Sequence, residues 1–128
     1  MFLRFVIAEL HSASGRRTGV FQAAYRLRRG VGLSPHDRER LNDRLAWFSA
    51  HLPRPERLAV SRRHNAQDLA LCWFKPTARV HLAQAREMAD ILGEYGVPVD
   101  VLRTRRPGYV VYEDAFQVGA HPFADIPS

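Results

Sequence analysis

The clearest alternation of apolar and polar positions in this chain lies between Ala78 and Tyr95. At about 100° per residue, Ala78, His81, Leu82, Ala85, Met88, Ala89, Leu92 and Tyr95 share one arc, and Arg79, Arg86, Glu87, Asp90 and Glu94 share the opposite one. Thr77 is placed to cap the start through its hydroxyl, and Pro76 keeps Lys75 extended. Gly96 suits the left-handed position after the last turn, and Pro98 forbids continuation. Start, stop and face agree on a helix.

Two strands flank it. Leu69 to Lys75 puts Leu69, Leu71 and Trp73 on one side and Ala70, Cys72 and Phe74 on the other. Both sides are apolar, so both need cover, either from helices on each face of the sheet or from a second subunit or partner on one. Val99 to Thr104 follows the helix and completes a strand–helix–strand crossover.

The rest of the chain reads in the same way. Phe2 to Leu10 is rich in Phe, Val, Ile and Leu, a strand with Arg4 as its interior charge. A polar loop, His11 to Gly19, feeds a helix of about Val20 to Arg29, ended by Gly30 or Gly32. Ser34-Pro35-His36-Asp37 is a helix start, with Ser as cap and Pro in the first position. That helix runs to about Leu52 on a stripe of Leu41, Leu45, Phe48 and Leu52, and Pro53 stops it. Pro53 to Asp68 reads as a long loop with a short strand or turn at Leu58 to Val60. Pro107-Gly108 suits a type II turn, and Tyr109 to Glu113 pairs with Phe116 to Ala120 around Glu113-Asp114-Ala115. The expected fold is one α/β or α+β domain over residues 1–128. Its mixed sheet has about five strands, in the order β-α-α-β-α-β-β-β, with a C-terminal antiparallel hairpin.

Composition narrows the setting. A chain of 128 residues, 46% hydrophobic and 25% charged, can bury a core without metals or disulfides. The single cysteine, Cys72, excludes an intrachain disulfide and fits a reducing compartment. Met1 to Leu10 is too short and too charged for a signal peptide, and no apolar run nears the roughly 18 residues of a membrane helix. A cytoplasmic protein with no membrane partner is expected.

The formal net charge is +6, and Lys75 is the sole lysine. Arginine suits bidentate recognition of phosphate or carboxylate, while a GC-rich genome would favour it for no functional reason. Placement says more. Arg16, Arg17, Arg62, Arg63, Arg103, Arg105 and Arg106 fall in loops, and these are the candidate anion-binding residues. If the strands run parallel, the loops after Leu10 and Thr104 open at one sheet edge, where ligands of α/β sheets bind. The loop after Leu10 also leads onto a helix N-terminus, although it lacks Walker A spacing and reads first as an ordinary solvated loop. Trp47 falls off the buried stripe, near Arg40, Arg44 and His51, so Trp47 and Tyr109 are candidate stacking or partner-docking residues. Cover from the segment after Pro53 is the alternative for Trp47.

Catalytic chemistry is not signalled. Six histidines and one cysteine show no metal-ligand spacing, and no cofactor motif occurs. His81, on the apolar arc, reads as a core histidine, Cys72 as a core thiol, and Glu113 and Asp114 as turn acids with His121 the nearest third group. Nucleic-acid binding through loop arginines is the first expectation. A protein-interaction module using an apolar sheet face or Trp47 (homodimer, inhibitor or adaptor) comes second, and a small enzyme for a phosphorylated ligand third.

Cys72-Trp73-Phe74-Lys75, Gly19-Val20-Phe21-Gln22-Ala23-Ala24-Tyr25 and Arg105-Arg106-Pro107-Gly108-Tyr109-Val110-Val111-Tyr112-Glu113-Asp114 resemble segments of short bacterial proteins of about this length. The similarity covers most of the chain. No activity or binding residue is attached to that group, so the resemblance implies none here.

Overall fold

The computed structural model describes residues 1–12, 15–54 and 70–123. The strand with which most of the sheet pairs is β1 (Phe2–Leu10). After it come β2 (Arg17–Gly19), α1 (Val20–Arg29), α2 (Pro35–His51), β3 (Leu71–Phe74), α3 (Arg79–Glu94), β4 (Asp100–Thr104), β5 (Tyr109–Glu113) and β6 (Gln117–His121). Leu3 is paired to both Phe74 and Arg103, and Val6 to both Gly19 and Asp100. Each residue has only two edges to offer. β4 therefore holds one edge of β1 alone, while β2 and β3 divide the other. β6 continues from β3 and β5 from β6, every ladder antiparallel. The fold is α+β, a six-stranded antiparallel sheet with three helices among the described residues.

The expected order of elements and the C-terminal hairpin are present, with β2 as an added short strand where the sequence reads as loop. β3 and β4 do run in the same direction through α3, but β1 lies between them. The sheet is consequently antiparallel throughout rather than mixed, a split β-α-β arrangement. Apolar patterning marks which strands are buried and leaves their neighbours open. The predicted strand at Leu58 to Val60 and the residue Leu69 lie outside the described residues.

The three helices share one face. Leu3, Phe5 and Ile7 of β1 point towards them and pack with Leu41, Leu45, Met88, Ile91 and Leu92. The other face has its own cluster of Leu71, Trp73 and Val118, packed against Phe2, Leu102 and Phe123, none of them helical. Among the described residues, the two-sided apolar character of β3 is met by helices on one side, and on the other by side chains of the sheet and Phe123.

Local chemistry explains the element ends. Ser34 Oγ accepts from the Asp37 backbone N–H at 3.1 Å, the cap its sequence implies. Thr77 does not cap α3, because the helix begins one residue later, at Arg79 after Ala78. At its other end Gly96 takes φ +79°, Val97 N–H donates to Leu92 O at 2.9 Å and Gly96 N–H to Gly93 O at 3.1 Å. Both bonds of a Schellman motif are made. The β5–β6 turn manages without glycine: Asp114 Oδ1 accepts from the N–H groups of Phe116 (2.8 Å) and Gln117 (3.0 Å).

Candidate functional site

The loop arginines do not meet. Arg17 is paired to Leu10 and Arg103 to Leu3, so they flank points seven residues apart (10 − 3) on β1. At about 3.3 Å per residue that is roughly 23 Å, and the two lie on opposite edges. The common edge inferred from parallel strands fails because β4 runs against β1. Arg17 is also neutralised: it ion-pairs with Asp100 and donates through Nε to Ile7 O at 2.9 Å. Arg16 is half-buried beside it, its carbonyl accepting from His11 N–H at 2.6 Å. Arg62 and Arg63 lie outside the described residues.

Arg103, Arg105 and Arg106 remain as a group. All are exposed, and among the described residues no carboxylate pairs with any of them. Arg17, Arg26, Arg40, Arg44 and Lys75 each have such a partner. The Arg106 guanidinium lies 5.0 Å over the Phe123 ring, and that ring meets Tyr109 edge-on at 4.8 Å. Tyr109 is 64% exposed. The turn is set by Thr104 Oγ1, which accepts from Arg106 N–H at 3.1 Å, and by Gly108 at φ +133°.

Trp47 is not an exposed anchor. It is half-buried against the helical core, stacked on His51 at 4.5 Å and edge-on to His81 at 4.8 Å. The α2–α3 packing closes over it. His81 is the satisfied core histidine its position implies, with Nε2 2.9 Å from His51 O. Glu113 pairs with Lys75, and Asp114 holds the turn. Burial pushes the Asp114 carboxyl up, but the Tyr112 phenol, with the Phe116 and Gln117 amides, holds it below its ordinary range. Tyr112, donating to Asp114 at 2.7 Å, is pushed up to about 12.

Arg4 is the functional candidate that the loop-based reading missed. It sits where β1 and β3 part: Leu3 still pairs with Phe74, Arg4 has no partner on β3, and β2 takes over from Val6. Its side chain is buried (8% exposed). Nη2 donates to Arg17 O at 2.8 Å, whereas Nη1 has no hydrogen-bond partner. Burial pulls the guanidinium down to about 10, and Arg16 and Arg17 repel it further. The available signal was an arginine among Phe, Leu, Val and Ile in a strand that must be buried.

Cavities adjoin it. One of about 230 Å³ is lined by Arg4, Gly19, Leu71 and Trp73, among others. A second, of about 610 Å³, is lined by Tyr25, Phe48, Leu52, Pro53 and Phe116. Phe21, Cys72 and Gln117 border both, so the two adjoin across shared walls. Cys72 is therefore not a core thiol. It is exposed at this junction, while the density of surrounding atoms pushes its pKa up.

Among the described residues there is no cluster of His, Cys, Asp and Glu that could hold a metal ion. No helix among them is long and apolar enough to cross a membrane. Comparison with protein-family models, curated proteins and solved structures finds no match for this chain.

Proposed function

We propose that this protein binds an anionic polymer, nucleic-acid phosphates, through Arg103, Arg105 and Arg106, with Tyr109 offering a ring for base stacking. The observation that supports it is clustering: three exposed arginines within four positions, none paired to a carboxylate among the described residues, stand beside the exposed Tyr109 ring. Exposed cations beside an exposed ring suit single strands, whose bases are free to stack. Sequence readout is not implied, since nothing here is built to address base edges. A cytoplasmic location suits the exposed, unpaired thiol of Cys72.

Salt dependence is the test. Three phosphate contacts on a single strand give a slope of log K against log salt of about −2. Fluorescence anisotropy with a labelled single-stranded oligonucleotide should show it, and the triple Arg→Gln variant should remove it without loss of folding. Equal affinity at low and high salt would end the proposal. A second reading, docking of a protein strand, is favoured by the outer edge of β5, which pairs with no strand among the described residues and where Tyr109 is 64% and Val110 50% exposed. Sedimentation at high protein concentration would reveal self-association by that edge.

A further inference from the structure

The loop arginines leave Arg4 unexplained. No carboxylate among the described residues pairs with it, and a guanidinium taken out of water without one is costly, as are N–H groups left unmet. Asp100 lies on the same sheet face, since Val6 and Asp100 are paired two residues along β1. It is already engaged by Arg17. Trp73 tells the same story from the neighbouring strand: it is fully buried, and its indole Nε1–H has no hydrogen-bond partner. Two buried donors without acceptors thus belong to side chains that line one cavity of about 230 Å³. That cavity shares the walls of Phe21, Cys72 and Gln117 with the larger, mainly apolar cleft.

We propose that the seam between β1 and β3 binds an amphiphilic organic monoanion, its carboxylate against Arg4 and Trp73 and its apolar body along Phe21, Phe48, Leu52 and Phe116. Charge sets the head group. Arg4 is the one cation among the described residues lining the smaller cavity, and Arg17 beside it is paired to Asp100, so the head group matches a single negative charge, a carboxylate's and not a phosphate dianion's. Size and lining set the body: the cleft is within the range of small-molecule sites and mainly apolar, with Ser49, His51, Arg54 and Gln117 as its polar lining. The site shares no residue with the β4–β5 loop, so nucleic-acid binding and ligand binding here can fail independently.

Cys72 reports occupancy, because it is the sole cysteine, is exposed, and borders both cavities. Alkylation of the intact protein by iodoacetamide, a neutral reagent, is timed with decanoate, decanol or acetate present. Decanoate should slow the reaction roughly tenfold at concentrations where decanol and acetate leave it unchanged. The Arg4→Met variant, checked for folding by circular dichroism, should lose that protection. Equal protection by decanol and decanoate, no protection by decanoate, or full protection in folded Arg4→Met would each overturn the proposal. The decanoate–decanol comparison needs no variant, so it decides the matter even if Arg4→Met does not fold.

Discussion

Replacing Arg4 by methionine should make this protein more stable. Burial is the main cause of the guanidinium's fall to about 10, with Arg16 and Arg17 repelling it and Cys72 opposing. That fall corresponds to a charging penalty of roughly 3 kcal/mol in the folded state. The substitution also removes the Nη2 bond to Arg17 O, at a loss of about 1.5 kcal/mol for a charged donor. Methionine fills similar space with no donor to satisfy. The net gain is about 1 to 2 kcal/mol, or a Tm higher by about 3 to 8 °C in a chain of this length. Because the folded value lies below the unfolded one, the penalty is present in full at neutral pH. It is relieved as pH climbs past about 10, where the unfolded chain binds more protons. Thermal unfolding followed by circular dichroism at pH 7 and at alkaline pH would show both effects, with the alkaline gain absent from the variant. A Tm lowered by several degrees at pH 7 would refute the reasoning and make Arg4 a structural tie between β1 and β2.

Other expectations follow from single contacts. Asp37 is pulled down to about 2 by the Tyr95 phenol (2.6 Å), Arg40 and Ser34, so its ionised form stabilises the fold above about pH 4 and that contribution fades as pH falls towards 2. Asp37→Asn should be less stable at neutral pH and show a flatter acid limb in Tm against pH. Gly108→Ala should cost more than about 3 kcal/mol in urea unfolding, since a Cβ there would lie 1.9 Å from His121 O on a backbone at φ +133°. Gly96→Ala, also left-handed but facing open space, should cost only about 1 kcal/mol. In an ultraviolet titration Tyr112 should contribute a late step near pH 12, and Tyr112→Phe should remove it.

Much of the architecture was legible because local rules carried it. The arcs of α2 and α3, the Ser34 cap, the Gly96 stop and the position of the hairpin all depend on residues within a few places of each other. What escaped was non-local. Nothing near Leu3 announces that it pairs with Phe74 on one edge and Arg103 on the other, so the insertion of β1 into the crossover could not be read, and with it went the convergence of the arginine loops. Trp47 was misplaced for the same reason, its cover coming partly from His81 on a different helix. The candidate site was half visible. Arg103, Arg105, Arg106 and Tyr109 cluster because they are neighbours in sequence. Arg4 and Trp73 are far apart in sequence, and the gap between β1 and β3 that gives them meaning exists only in the assembled sheet.

The position of β1 has a consequence for how the chain acquires its shape. Its edge ladder to β4 joins residues almost a hundred places apart, so both edges of this strand are filled only after β4 has followed it from the ribosome. Long loop closure of that kind slows folding relative to a helical protein of equal size. Until β4 arrives, Phe5 and Val6 face water or a chaperone, and the amides of β1 should be among the last to gain protection from hydrogen exchange.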